Sequence, residues 1–171
     1  MPLRRFFAVI SALVLIGTGS PAHARPVSPD ADFLIAAHQG NLAEIAAGKL
    51  ARRKGDTAAV RRLGRRLAAY HRKLDSVVQK TAIDLDVTLP DQPNSEQQTL
   101  VHRYEAASGA EFDTLFVGSQ LIAHEHAVKL ARVVLDTGTE PRVSKIVTRA
   151  LPMIQNHQRE LLEAQQKLTE R

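Results

Sequence analysis

The chain has no cysteine and no tryptophan among its 171 residues, and its aromatic content is only 4%. Without cysteine there is no disulfide framework, thiolate metal site, cysteine nucleophile or lipid-modified N-terminal cysteine. Any metal site must be built from histidine and carboxylate. With so few aromatics the core must be aliphatic, and the abundance of alanine, leucine and valine makes it most naturally helical. Long apolar runs are also missing. The longest, Phe6 to Ile16, spans 11 residues, well short of the roughly 20 that a membrane helix requires. The length suits one domain with a short appendage and is too small for two independent cores.

The apolar run has the organisation of a secretory signal: Arg4 and Arg5 precede it, and Ala22-His23-Ala24 forms a small-residue cleavage site after it. The sequence therefore predicts a signal peptide over residues 1–24 and a domain over 25–171, placed in the periplasm or otherwise exported. Leu3-Arg4-Arg5-Phe6-Phe7 partly matches a twin-arginine signal, but the short n-region and strongly apolar core favour the general export route.

The whole chain carries 23 basic and 18 acidic side chains, a net +5 that alone suggests nucleic acid. Losing the signal removes Arg4, Arg5 and no acid, which leaves 21 basic residues against 18 and an excess of +3. That excess is concentrated. Lys49 to Lys73 holds ten basic residues with Asp56 as the one acid. Arg61, Arg62, Arg65 and Arg66 fall away from the apolar stripe of their helix and form a solvated positive face. In an exported protein such a face suits anionic lipid headgroups or acidic envelope polymers better than nucleic acid.

Four long amphipathic helices are legible by their apolar spacing. The first, capped by Asp30 or Asp32, carries Phe33, Ala37, Gly40, Glu44, Gly48 and Ala51 on one stripe and runs to about Lys54, where Gly55 supplies a left-handed stop. Asp56 or Thr57 caps a second with Val60, Gly64, Leu67, Leu74 and Val78. The joint is two or three residues long, so these two must fold back as an antiparallel hairpin. The connection between Thr88 and Gly109 is long enough to cross the domain, and Ser95 with Gln98 opens a short helix in it through about Ala106. A third long helix from Glu111 or Phe112 carries Asp113, Val117, Leu121, Val128, Ala131 and Leu135, and Gly138 stops it. Thr139 and Pro141 start the last, with Val143, Ile146, Ala150, Ile154, Leu161, Ala164 and Leu168 in register and Pro152 in its interior. The expected fold is all-α: a ferritin-like four-helix bundle of two antiparallel hairpins joined by a long crossover.

His71, His124 and His157 each fall on the apolar stripe of a different helix, and Glu44 falls on the stripe of the first. Such groups facing an aliphatic core need partners. One reading is a set of interhelical hydrogen bonds that fixes register. The alternative is a metal-binding or redox-stress protein with a divalent transition metal held by Glu44, His71, His124 and His157, since imidazole and carboxylate suit zinc, copper, nickel or iron. At 1.5 Å per residue, Glu44, 11 positions before Gly55, and His71, 16 after it, differ in height by roughly 7 Å. Di-iron carboxylate bundles use Glu-x-x-His. Here Ala68, Leu121 and Ile154 occupy the position three before each histidine, which argues against a ferroxidase centre. His126 points away from His124, and His38 and His102 carry no role in this reading. No catalytic residue is assigned.

Asp32-Phe33 with Ala36, Ala37, Gly40, Glu44 and Gly48-Lys49-Leu50-Ala51, then Val60 through His71, Phe112-Asp113 with His124, and Leu151-Pro152 before His157 resemble an exported bacterial family known as domain of unknown function 4142. The resemblance spans about Asp32 to Leu168. It implies a ferritin-like fold and marks Glu44, His71, His124 and His157 as motif positions, with no established activity. The chain departs from the family pattern where Tyr70 precedes His71 and Ala123 precedes His124. Acids are common at those places, so the expectation is that acids orienting these imidazoles are missing.

Overall fold

The computed structural model describes residues 28–170, so the predicted signal segment lies outside the described residues. Among these the chain is all-α. Four long helices, α1 (Pro29–Lys54), α2 (Ala58–Asp84), α4 (Gly109–Thr137) and α5 (Pro141–Thr169), pack with one short helix, α3 (Ser95–Ala106). None is long and apolar enough to cross a membrane.

The helix ends follow local chemistry with small shifts from expectation. Ser28, rather than Asp30 or Asp32, caps α1 by accepting from Ala31 N, and Pro29 takes the first helical position. Asp30 instead serves a distant loop. Gly55 does follow α1, but at φ −55°, not in the left-handed region. Thr57 caps α2 as expected. The capping box of α3 is Asn94 with Gln97, one residue before the expected pair. The α4 helix begins at Gly109, whose φ of +57° suits glycine, two residues earlier than expected. Glu140 rather than Thr139 caps α5. Pro152 is accommodated inside α5.

Three residues separate α1 from α2, and three separate α4 from α5, so each pair folds as an antiparallel hairpin. The hairpins pack α1 against α4 and α2 against α5. Each is locked by a buried aspartate of the other. Asp113 on α4 accepts from Asp56 N (2.8 Å), Thr57 N (2.8 Å) and Thr57 Oγ1 (2.7 Å) in the α1–α2 turn. Asp30 on α1 accepts through Oδ2 from Thr139 N (2.9 Å) and Glu140 N (3.1 Å) in the α4–α5 turn. The start of α4 therefore lies beside the α1–α2 turn, and the start of α1 beside the α4–α5 turn. It follows that α2 and α4 run in the same direction, and the connection carrying α3 spans the length of the bundle. Lys54 Nζ donates to the carbonyls of Tyr104 and Glu105, which ties the end of α3 to the end of α1.

The core is not purely aliphatic as the composition suggested, because Tyr104, Phe112 and Phe116 are its largest fully buried side chains. It has two main apolar layers. One, near the α1–α2 turn, contains Leu50, Val60, Leu67, Phe112, Phe116 and Leu161. The other, near the α4–α5 turn, contains Phe33, Leu34, Val78, Val134, Val143 and Ile146. Leu135, expected on the α4 stripe, is exposed, and its neighbour Val134 is buried instead. Between α1 and α2 the backbones come very close at Gly48 and Gly64. A Cβ on Gly48 would lie 2.5 Å from Gly64 O, and one on Gly64 would lie 2.8 Å from Gly48 O. The polar cluster lies between the two layers.

Candidate metal centre

Midway along the bundle, His71 from α2, His124 from α4 and His157 from α5 converge. One ring nitrogen of each lies within 4.8 Å of the other two, and all three residues are buried. The rings meet with centroids 5.5 to 5.9 Å apart. His124 Nε2 lies 3.4 Å from His157 Nδ1. That is close to the separation of about 3.4 Å between two ligands of a tetrahedral ion with bonds near 2.1 Å.

Surrounding hydrogen bonds decide which nitrogens are bare. Asp75, one turn after His71, is buried and takes donors on both oxygens: His38 Nδ1 at 2.7 Å on Oδ1 and Gln79 Nε2 at 2.5 Å on Oδ2. Asn41 turns its amide nitrogen to the same Asp75 Oδ1 at 3.4 Å, which leaves its oxygen facing His71 Nδ1 at 2.9 Å. His71 therefore carries its proton on Nδ1, and its Nε2 lone pair faces the cluster. That Nε2 is buried and makes no hydrogen bond. His124 donates Nδ1–H to the carbonyl of Gln120 at 2.9 Å, so its Nε2 carries the lone pair and faces His157 Nδ1. Orienting groups are nevertheless present. They come from Asn41 and Asp75 and from a backbone carbonyl, rather than from the residues preceding each histidine.

Burial keeps the imidazoles neutral. Desolvation, with the nearby His124 and His157, holds His71 well below its usual range. Desolvation, opposed by the Gln120 carbonyl, brings His124 down to about 4, and desolvation with His124 and Arg66 brings His157 down to about 4. Neutral imidazole is the form that binds metal ions. On the α2/α5 side Tyr70 closes the cluster, with its ring 5.5 Å from His71 and 5.0 Å from His157 in edge contacts.

Glu44 is buried but does not join the three imidazoles. With the Gln120 amide turned so that its nitrogen faces Glu44, the orientation that satisfies both groups, that nitrogen lies 2.5 and 2.9 Å from the carboxylate oxygens. Desolvation pushes its carboxyl up to about 8, with the Gln120 hydrogen bond opposing. Glu44, Asn41, Gln120, His71 and His124 all line a cavity of about 740 Å³ between α1 and α4.

Of the remaining histidines, His126 and His102 are exposed, and His102 pairs with Glu105. His38, to which the sequence assigned no role, is buried against Asp75. Of the four arginines expected to form a solvated basic face, Arg61 turns onto the carbonyls of Gly55 and Asp56, and Arg66 pairs with Glu160. Arg62 and Arg65 are exposed.

Asn41, Asp75 and Gln120 escaped the sequence reading, although a signal for two of them exists. Asp75 is four residues after His71 and Gln120 four before His124, so each shares a helix face with its histidine. Asn41 stands eleven residues after Asp30, as His124 stands eleven after Asp113. The hairpins thus place an amide and an imidazole at matching positions.

No curated protein matches the chain, and no solved structure does. The family model of a domain of unknown function, DUF4142, matches residues 17–164. The chain belongs to the DUF4142 family, whose name assigns no activity.

Proposed function

We propose that this protein is an exported, periplasmic bundle of the ferritin-like type that binds one divalent transition-metal ion through His71, His124 and His157. Export rests on the signal pattern over residues 1–24. The ferritin-like assignment rests on two antiparallel hairpins with a long crossover. The observation that carries the metal reading is the bare, buried Nε2 of His71 facing two further imidazoles. A register device would satisfy its nitrogens, because an orphaned buried polar atom costs about 1–3 kcal/mol. A ligand site leaves that lone pair for the ion.

Three neutral imidazoles without thiolate suit zinc, copper(II), nickel or iron, and they leave a coordination position open. Glu44 is the candidate for a proton-holding neighbour rather than a fourth ligand, since Gln120 occupies its oxygens. A second role at an anionic envelope surface would rest on Arg62 and Arg65, because Arg61 and Arg66 are engaged within the protein.

The test is metal analysis of the chain isolated from its own cells, beside a His71→Ala/His124→Ala/His157→Ala variant. About one ion per chain in the first and background in the second supports the reading. Background in both returns the cluster to a register role. An N-terminus at Arg25 in the isolated protein supports export, and one at Met1 contradicts it.

A further inference from the structure

Resting on the metal reading, we propose that the cavity between α1 and α4 binds a small amphiphile. Its single acidic head would lie at the His71 and His124 end, and its aliphatic chain would lie along the apolar wall. At about 740 Å³ the cavity falls in the range of small-molecule sites, roughly 300–1,000 Å³. Its lining is divided. Phe33, Leu74, Val78, Ala131, Ile146 and Ile154 supply aliphatic and aromatic surface from all four long helices. Glu44, Asn41, Gln120 and the two histidines supply polar atoms. A wholly polar ligand would leave the aliphatic wall unmatched, and a wholly apolar one would bury the polar groups without partners.

The cluster borders the cavity on this side. His71 and His124 line the cavity, whereas His157 packs against Tyr70 on the far side. A ligand head in the cavity therefore meets the cluster, and any ion bound there, at His71 and His124. A carboxylate oxygen is a suitable ligand for such an ion. Glu44, its carboxyl pushed up to about 8 by burial, sets little negative charge against the head at neutral pH.

Gly40 on α1 provides the means of testing this. It lines the cavity, and the nearest neighbour of an added Cβ would be Gln97 Nε2 at 4.0 Å, so a larger side chain fits on the helix while occupying ligand space. The full chain loaded with Co²⁺ is titrated with octanoate and with acetate, read by the visible cobalt spectrum. Octanoate is expected to bind about 100-fold more tightly than acetate, through methylenes buried against the wall. Gly40→Leu should reduce that preference to less than about tenfold, by filling the space those methylenes need, while the cobalt spectrum of the unliganded protein stays unchanged. Equal affinities, or a preference that survives in Gly40→Leu, overturns the proposal while leaving the metal reading intact.

A metal-free arm separates the two claims. If Co²⁺ does not bind, the metal reading fails by itself. The amphiphile site then stands if octanoate raises the Tm of the metal-free chain and Gly40→Leu abolishes the rise, and it falls if octanoate gives no rise.

Discussion

Asn41 Oδ1 accepts the Nδ1 proton of His71 at 2.9 Å, and this bond leaves the opposite nitrogen of the ring bare in the centre of the bundle. The amide cannot turn over without setting its nitrogen against the His71 proton and its oxygen against Asp75. Asp75 thus acts as a positioning residue through Asn41 and fixes the His71 tautomer from two side chains away. Asn41→Leu should weaken metal binding about 10- to 100-fold, the usual effect of removing a group that orients an imidazole ligand. Asn41→Asp keeps an acceptor for Nδ1–H and should retain more affinity than Asn41→Leu. Equal affinity in all three proteins, measured by competition with a chelator, would contradict this role.

The pH dependence of the metal-free protein should have two limbs. His124 and His157 titrate near 4 in the folded chain and His71 well below its usual range, whereas the unfolded chain takes up these protons near 6.5. Stability therefore falls as pH drops from about 6.5 towards 4. Glu44 acts in the opposite sense. Its folded carboxyl holds a proton up to about 8, and its unfolded carboxyl only to 4.5, so stability falls as pH rises through that interval. Three histidines outweigh one carboxyl below about 6.5, and Glu44 acts without them above it, which places the maximum near pH 6.5. Glu44→Gln should remove the alkaline limb and stabilise the metal-free chain by about 3 kcal/mol at about pH 7. Urea titrations of both proteins from about pH 4 to about pH 9 check it, and parallel alkaline limbs would refute the assignment to Glu44.

Asp30 and Asp113 perform matching tasks with different completeness. Asp113 uses both oxygens on the α1–α2 turn, whereas Asp30 uses only Oδ2 and its Oδ1 has no partner. Asp113→Asn sets an amide nitrogen against a backbone N–H and should cost about 2–3 kcal/mol. Asp30→Asn can keep its oxygen on Thr139 and Glu140 and should cost less than about 1 kcal/mol by the same reasoning. Chemical denaturation of the two variants tests the difference. Equal losses would show that charge, not acceptor count, is what these sites require.

The crossing of α1 over α2 depends on two missing side chains. A Cβ at Gly48 would meet Gly64 O at 2.5 Å and Ala68 Cβ at 2.9 Å, contacts that involve backbone and cannot be relieved by a rotamer change. Gly48→Ala should therefore destabilise by about 2 kcal/mol despite the better helix propensity of alanine. Gly118→Ala is the control, since a Cβ there would meet nothing within 4 Å, and it should be neutral or slightly stabilising. Thermal unfolding of the pair is decisive, and a stabilised Gly48→Ala would contradict the close crossing.

Much of the helix pattern was legible because one periodicity governs it. The stripes through Val60, Leu67 and Val78 and through Val143, Ile146 and Ile154 are the buried faces of α2 and α5. The three histidines were legible for the same reason, as polar residues on the stripes of α2, α4 and α5. Rise arithmetic also warned that Glu44 and His71 differ in height, and Asn41, three residues nearer the start of α1, is the residue that meets His71. Pairing between distant polar groups was not legible. Nothing local announces that Asp30 binds the turn before α5 or that Asp75 takes His38, because these contacts depend on how the helices are placed side by side. Nor could the sequence show that Arg61 bonds to a turn and Arg66 to another helix.

The most direct test of the central claim is calorimetric titration of the metal-free full chain with Zn²⁺, run beside the His71→Ala/His124→Ala/His157→Ala variant. One ion should bind per chain to the native protein, and the variant should lose that site while Glu44→Gln keeps it. Absence of a saturable site in the native protein, or an undiminished site in the triple variant, would contradict metal binding by the three histidines.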